Sequence, residues 1–112
     1  MKKLNQLLAD ITAIKVVGNA EVEITSVTND SREAKPGALF IAVKGVAVDA
    51  HKFIPQVVAA GAAAVVCEDL PENLNDTVTY IQVTDSTIAL AHLASAWYDP
   101  PRARLRLVGV TG

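Results

Sequence analysis

An unbroken apolar stretch over residues 38–43, Ala-Leu-Phe-Ile-Ala-Val, constrains the fold of this chain more than any other feature. A strand with one face in water alternates polar and apolar residues, whereas a strand covered on both faces is apolar throughout. A second such stretch, Ala-Val-Val-Cys, covers residues 64–67, and Tyr80, Ile81 and Val83 mark a third strand. These strands predict a sheet that other elements cover on both sides.

Helical periodicity separates these strands, and shorter strands are predicted at residues 16–17 and 22–27. Asp49 and Asp85 precede two of the helical segments and predict N-caps, and Gly61 predicts the end of the first of these two. Together the order of elements predicts an α/β fold, a three-layer α/β/α domain with a small, mostly buried sheet. The three helical stripes are Leu4, Leu7, Leu8 and Ile11; Ala50, Phe53, Ile54, Val57 and Val58; and Leu90, Leu93, Ala94 and Trp97.

The composition argues against several kinds of binding site. The 112 residues include ten basic and twelve acidic side chains, and neither sign is concentrated, so a nucleic-acid surface is not expected. Asn5, Gln6, Asp10 and Thr12 interrupt the apolar residues near the N-terminus, so a membrane span is not expected. Cys67 has no partner for a disulfide, and with His51 and His92 it makes too scattered a set for a metal site. We therefore expect no bound metal and a cytoplasmic location.

A polar turn at residues 29–32, Asn-Asp-Ser-Arg, follows the strand around Val27. Composition alone favours a surface loop with local side-chain-to-backbone hydrogen bonds. Its position at a strand end also suits ligand binding, with Ser31 and nearby backbone groups as donors and acceptors. A catalytic arrangement of Ser31 with Asp49 and His51 is not favoured, because the aspartate is typical of a cap before an exposed first helical turn.

Five segments, in this order and spacing, resemble the Mur ligases of peptidoglycan synthesis. Any one of them is weak evidence, whereas five in register from about residue 22 to residue 112 are specific. They are Thr-Asn-Asp-Ser-Arg at 28–32, Pro-Gly-Ala-Leu-Phe-Ile-Ala-Val-Lys-Gly at 36–45, Asp-Ala-His-Lys-Phe-Ile at 49–54, Gly-Ala-Ala-Ala-Val-Val at 61–66 and Leu-Val-Gly-Val-Thr-Gly at 107–112.

The resemblance implies that residues 1–104 form the UDP-recognising N-terminal domain of a three-domain enzyme. Residues 105–112 would then hold the first strand of the central ATPase domain, with Thr111 and Gly112 at the beginning of its phosphate loop. In this family ATP and Mg²⁺ activate a substrate carboxylate as an acyl phosphate, which the amine of the next amino acid attacks. The implied partners are the UDP-N-acetylmuramoyl-dipeptide substrate and the central and C-terminal domains. No catalytic residue, bound cofactor or ligase turnover is expected of these 112 residues alone.

The resemblance also implies roles for individual residues, according to their positions in the matching motifs. Ser31 corresponds to the serine that contacts the uridine end of the substrate, and Asn29 matches a residue against the same group. Val46, Ala47 and Val48 occupy the loop that closes over the uracil. Because these three are apolar here, we expect contacts through their backbone groups and van der Waals packing. Asp30 and Arg32 are interpreted as a structural pair within the turn, with Arg32 in reach of the diphosphate.

Two members of the family fit best. The Asp-Ala-His at 49–51 is commoner in the ligase that adds the D-alanyl-D-alanine dipeptide. The Ala-Ser-Ala-Trp-Tyr at 94–98, followed by prolines and the closing Leu-Val-Gly-Val-Thr-Gly, resembles the ligase that adds the third stem-peptide residue to UDP-N-acetylmuramoyl-L-alanyl-D-glutamate. We favour the third-residue ligase, whose amino acid is meso-diaminopimelate in most Gram-negative bacteria and lysine in many Gram-positive ones.

Two functions outside substrate recognition stay open from the residues themselves. The first is an unrelated α/β module whose 29–32 turn contacts a protein partner. The second is a nucleotide hydrolase that uses residues 109–112 as a phosphate loop. The hydrolase is disfavoured, because the lysine and the serine or threonine that complete such a loop do not follow in this sequence.

Overall fold

A computed structural model of the chain describes residues 2–8, 11, 13–44 and 49–98. Several of the predictions above lie outside these residues. They are the loop residues Val46, Ala47 and Val48, the predicted strand within 105–112, the boundary of the central domain at residue 105, and the phosphate-loop residues Thr111 and Gly112.

The described residues form seven strands and three α-helices, with two 3₁₀ turns at Ser31–Glu33 and Ala50–Phe53. The elements in chain order are β1 Lys2–Lys3, α1 Leu4–Leu7, β2 Ala13–Val17, β3 Glu23–Ile24, β4 Ser26–Thr28, β5 Ala38–Ile41, α2 Ile54–Ala59, β6 Ala64–Cys67, β7 Thr79–Val83 and α3 Ser86–Tyr98.

Five of the strands make one sheet in the order β2-β7-β6-β5-β4, and β1 pairs with β3 in a separate two-stranded ribbon. The neighbours β4, β5, β6 and β7 run parallel, while β2 lies antiparallel to β7 at one edge. Because the four parallel strands point the same way, their carboxyl ends and the segments that follow lie along one edge of the sheet. Ligands of open α/β sheets bind at this edge.

Successive side chains of the central strands enter opposite layers. Leu39 and Ile41 pack with α1 and α3 in one cluster, whereas Phe40 packs with Ile54 and Val57 near the start of α2 in a second cluster. All residues of β5 and β6 are buried. The helices therefore cover both faces, and the predicted three-layer α/β/α domain with a buried sheet is confirmed.

Local signals in the sequence determine several element ends. Asp85 accepts hydrogen bonds from the backbone N–H groups of Thr87 and Ile88 at 2.9 and 3.1 Å and so caps α3, as predicted. Gly61 adopts φ +101° just after α2, and Gly37 adopts φ +84° after Pro36. These are left-handed conformations that glycine adopts without steric cost, and the predicted helix end at Gly61 is confirmed.

Two predicted helices are shorter than their apolar stripes. The stripe from Leu4 to Ile11 contains an α-helix of four residues only, although Ile11 still packs on the same cluster. The segment after Asp49 begins as a 3₁₀ turn, and α2 starts at Ile54 with Pro55 in its first turn. Proline has no N–H to donate to the preceding turn, so it suits the first positions of a helix and not its interior.

Among the described residues, none of the helices combines the length and apolar character needed to cross a membrane.

Candidate functional site at the carboxyl ends of the parallel strands

A cleft of about 590 Å³ opens where β4 and β5 end, opposite the start of α2. We call it the strand-end cleft. Its volume lies within the range of small-molecule binding sites. Its walls combine the polar 29–32 turn with apolar side chains from the segment between β5 and α2. The lining residues are Asn29, Asp30, Ser31, Arg32, Val43, Ala50, Phe53 and Gln56.

The 29–32 turn is shaped by hydrogen bonds between near neighbours. The backbone N–H of Asp30 donates to the hydroxyl of Thr28 at 3.0 Å. The carboxylate of Asp30 accepts from the backbone N–H of Arg32 at 2.9 Å and from its guanidinium at 3.1 and 2.9 Å. The Arg32 guanidinium, followed by the Arg32 backbone N–H, holds the pKa of Asp30 below its ordinary value. The pairing of Asp30 with Arg32 within the turn is therefore confirmed.

Asn29 and Ser31 both line the strand-end cleft. Neither side chain makes a hydrogen bond to another of the residues that the structure describes. Their amide and hydroxyl groups are consequently available to a molecule in the cleft. The expected contribution of Val46, Ala47 and Val48 concerns residues outside the described part of the chain. Val43 and Ala50, which flank that segment, do line the cleft.

Sequence analysis did not identify Phe53 and Gln56 as residues of the site. The apolar stripe predicts Phe53 in the core, and Gln56 belongs to none of the sequence motifs. The structure places Phe53 at the end of the 3₁₀ turn and Gln56 in the first turn of α2, and both face the 29–32 turn. One signal in the sequence points to Phe53 as a site residue. It is an aromatic residue at the boundary between a core stripe and the capped start of a helix.

A second polar arrangement lies beside the cleft, and we call it the strand-end network. It joins the segments that follow three of the parallel strands, β5, β6 and β7. Its members are Lys44, Asp49, His51, Glu68, Asp69 and Ser86.

His51 lies at the centre of one half of this network. Its Nδ1 is 2.6 Å from a carboxylate oxygen of Asp49, and its Nε2 is an acceptor for the backbone N–H groups of Glu68 at 2.9 Å and Asp69 at 3.2 Å. Only 13% of the side chain is exposed. The prediction of an exposed first turn was therefore wrong for His51, because the turn packs against the end of β6. The predicted cap is confirmed, since Asp49 accepts from the backbone N–H of His51 at 3.0 Å.

Glu68 lies at the centre of the other half of the strand-end network. Its carboxylate accepts from the hydroxyl of Ser86 at 2.7 Å and from the Ser86 backbone N–H at 2.9 Å. The same hydroxyl accepts from the backbone N–H of Lys44 at 3.2 Å, and the Lys44 ammonium lies 2.7 Å from Asp69. This ion pair raises the pKa of Lys44 and lowers that of Asp69. Ser86 itself is fully buried.

Neither metal binding nor thiol chemistry is supported in the part of the chain that the structure describes. No group of three or more His, Cys, Asp or Glu side chains there is arranged to hold a metal ion. Burial raises the pKa of the Cys67 thiol to about 11, so this residue of β6 is an unreactive part of the core. His92 is exposed on α3.

Comparison with known proteins decides the family. The family described as "Mur ligase family, catalytic domain" matches residues 23–98. The chain belongs to the Mur ligase family. This match covers the 29–32 turn, every lining residue of the strand-end cleft and the whole strand-end network.

Curated Mur ligases resemble the chain over nearly its full length. It is 46% identical over 110 residues to the UDP-N-acetylmuramoyl-L-alanyl-D-glutamate--2,6-diaminopimelate ligase of Bacteroides fragilis, covering 98% of this chain and 23% of that protein. It is 50% identical over 93 residues to the enzyme of the same name from Chlorobaculum tepidum, covering 83% of this chain and 18% of that protein. The chain thus spans about a quarter or less of the length of these relatives.

Solved structures of Mur ligases confirm the fold. A crystal structure of MurF from Acinetobacter baumannii superposes with a TM-score of 0.72 at 29% identity, over 84% of this chain and 20% of that one. MurF from Thermotoga maritima, in complex with ADP, gives a TM-score of 0.53 at 32% identity, over 65% of this chain and 16% of that one. The family and the fold that the five sequence segments predicted are both confirmed.

Proposed function

We propose that this chain is the substrate-recognising N-terminal domain of a diaminopimelate-adding Mur ligase. In this proposal the strand-end cleft binds the uridine end of UDP-N-acetylmuramoyl-L-alanyl-D-glutamate. One observation carries the proposal: the cleft combines the side chains of Asn29 and Ser31, which bond to no other described residue, with Val43 and Ala50, the lining residues nearest in sequence to the 46–48 loop.

The chemistry of the cleft suits a nucleoside. A pyrimidine ring needs a flat apolar surface together with a few donors and acceptors at its edge and on the ribose. Val43, Ala50 and Phe53 supply the apolar surface, while Ser31 and Asn29 supply the polar groups. Arg32 lies at the same cleft with its side chain 83% exposed, where its guanidinium can pair with a phosphate.

The complete enzyme would use ATP and Mg²⁺ to activate the substrate carboxylate, as the family resemblance implies. The residues assigned to this step in the chain, Thr111 and Gly112, lie outside the described part. The described residues offer no cluster for a metal ion. We propose that this domain holds and orients the sugar nucleotide while other domains carry out the reaction.

The identity of the added residue rests on sequence similarity. Relatives named as 2,6-diaminopimelate ligases are 46% and 50% identical to the chain. The Acinetobacter baumannii structures, one of which is titled a D-alanyl-D-alanyl ligase, are 28–29% identical. In the complete enzyme, an assay with UDP-N-acetylmuramoyl-L-alanyl-D-glutamate should therefore consume diaminopimelate. Turnover of the tripeptide precursor with D-alanyl-D-alanine would favour the dipeptide-adding enzyme instead.

Titration of the ¹⁵N-labelled chain with UDP tests the binding site. We expect the amide signals of Ser31, Ala50 and Phe53 to shift, and ADP at equal concentration to shift them less. The Ser31→Ala variant should bind UDP roughly fivefold more weakly, because it loses one hydrogen bond to the ligand. The matched control is Ser95→Ala, which removes an exposed serine from α3 away from the cleft.

Two results would contradict the proposed site. One is UDP-induced shifts that avoid the strand-end cleft. The other is an unchanged UDP affinity in Ser31→Ala. A chain that ignores UDP and binds a protein through the 29–32 turn would support the alternative of a protein-binding module.

A further inference from the structure

Two segments that contribute to the apolar wall of the strand-end cleft, at residues 43–44 and 49–50, are hydrogen-bonded to each other. The backbone N–H of Ala50 donates to the carbonyl of Val43 at 3.1 Å, and Lys44 pairs with Asp49 in an antiparallel bridge. Val43 and Ala50 both line the cleft. A contact that holds these two segments against the sheet therefore also sets the position of the apolar wall.

His51 makes that connection. It follows Ala50 directly, and its ring reaches the backbone of Glu68 and Asp69 at the end of β6. These contacts span 17 and 18 residues of sequence. Because Nε2 accepts from two N–H groups, that nitrogen carries no proton, and the ring hydrogen resides on Nδ1. Nδ1 then donates to the carboxylate of Asp49 at 2.6 Å.

The hydrogen-bond pattern thus requires one particular form of the ring. The neutral form with its hydrogen on Nδ1 satisfies all the contacts at once. The form with its hydrogen on Nε2 would oppose two backbone donors and leave the Asp49 carboxylate without a donor from the ring. The charged groups around the ring are Asp49 on its own turn, Glu68 and Asp69 after β6, and Lys44 after β5.

We propose that His51 is a positioning residue for the nucleotide cleft, acting through the acceptor at Nε2 that holds the wall of Val43 and Ala50 against the end of β6. This inference rests on the proposed function of the cleft. His51 does not line the cleft, so its effect on a ligand passes through Ala50 and Val43.

Two substitutions separate the roles of the two ring nitrogens. His51→Asn keeps a donor near the place of Nδ1 but does not reach the backbone of Glu68 and Asp69. His51→Gln extends one bond further and can present its amide oxygen where Nε2 lies. We expect His51→Asn to weaken UDP binding roughly tenfold and His51→Gln to stay within about threefold of the parent chain. His92→Asn, on the exposed side of α3, is the matched control and should change nothing.

A spectroscopic measurement on the ligand-free chain adds a test that does not depend on UDP. Long-range ¹H–¹⁵N correlation of the His51 ring should show the proton on Nδ1 and an unprotonated Nε2. The amide signals of Val43 and Ala50 should move in His51→Asn and return towards the parent positions in His51→Gln. All affinities are measured well below the thermal midpoint of each variant, so that a loss of stability alone does not change them.

The outcomes distinguish the two proposals. A parent chain that does not bind UDP would overturn the proposed function and with it the role of His51. If the parent binds UDP, equal affinities in the parent and His51→Asn, or equally weak binding by the two variants, would overturn only the role of His51. A ring proton on Nε2 would overturn it as well, even if His51→Asn did not fold.

Discussion

The two polar structures at the carboxyl ends of the parallel strands are built differently. The 29–32 turn is held by contacts between residues two apart, of which the pair of Asp30 and Arg32 is the main one. Apart from the pair of Asp49 and His51, the strand-end network is held by contacts that span 17 to 42 residues, such as His51 with Glu68 and Lys44 with Ser86. Both lie on the same edge of one sheet.

This difference suggests that the 29–32 turn and the strand-end network have different roles. A turn built from near neighbours needs little support from the rest of the fold, so it can present Ser31 and Asn29 to a ligand at the surface. The network instead joins the ends of three strands to the start of α3, and its buried member Ser86 depends on partners from distant segments. We therefore expect changes in the network to lower stability, with His51 also affecting binding through the apolar wall, and changes in the turn mainly to affect binding.

The largest effect on stability should come from Glu68→Ala. This substitution removes the carboxylate that accepts from both the hydroxyl and the backbone N–H of Ser86. Ser86 is fully buried, and an unpaired buried donor costs about 1–3 kcal/mol. We expect the free energy of unfolding to fall by about 2 kcal/mol in a urea titration, with the denaturant slope unchanged.

Glu68→Gln is the matched control for this experiment. The amide oxygen of glutamine can still accept from Ser86, so the loss should stay below about 1 kcal/mol. A loss for Glu68→Ala no larger than that for Glu68→Gln would mean that the strand-end network contributes little to stability, and the contrast with the turn would not hold.

The same contrast explains which features the sequence could predict. Asp30 with Arg32, the cap at Asp49 and the reversal at Gly61 depend on residues close together in the chain, and each was predicted. The buried strands were also predictable, because a run such as residues 38–41 is apolar regardless of its neighbours. Local chemistry and burial pattern were sufficient for these features.

Features that depend on distant segments were missed. The inward packing of His51 requires two backbone N–H groups at the end of β6, and nothing near position 51 in the sequence indicates them. Phe53 fits a core stripe, so its place at the cleft becomes clear only when β4 and β5 are adjacent. Family resemblance identified the turn of the site, while the geometry of its apolar wall required the structure.

A smaller effect on stability is expected from Asp30→Ala. The side chain of Asp30 is 37% exposed, and its bond to the Arg32 backbone N–H resembles a helix N-cap. Loss of such a cap costs about 1 kcal/mol. Under the proposed function, UDP affinity should fall more clearly than stability, because the turn carries Ser31. Asp30→Asn keeps the acceptor and should preserve both quantities. A stability loss above that of Glu68→Ala would reverse the comparison.

The smallest effects concern acid sensitivity. Both Asp30 and Asp69 have pKa values below the ordinary 3.8, through Arg32 and Lys44 respectively. A carboxylate whose pKa is lowered by folding stabilises the folded state above its unfolded pKa. That contribution is lost as the pH falls through the lower folded value. The side chain of Asp30 is partly exposed and that of Asp69 is mostly exposed, so the contributions are small and are further screened by salt.

The two carboxylates should nevertheless respond differently to loss of their partners. Titration of the carboxyl ¹³C signals should show that Lys44→Gln raises the pKa of Asp69 and not that of Asp30, and that Arg32→Gln raises the pKa of Asp30 and not that of Asp69. Asp30 and Arg32 stay two residues apart in the unfolded chain, where part of their attraction persists and lowers the unfolded pKa too. Lys44 and Asp69 are 25 residues apart and meet only on folding. Lys44→Gln should therefore reduce the dependence of the urea midpoint on pH below about 4 more than Arg32→Gln does. Equal reductions would show that the local pair depends on the fold as much as the distant pair does.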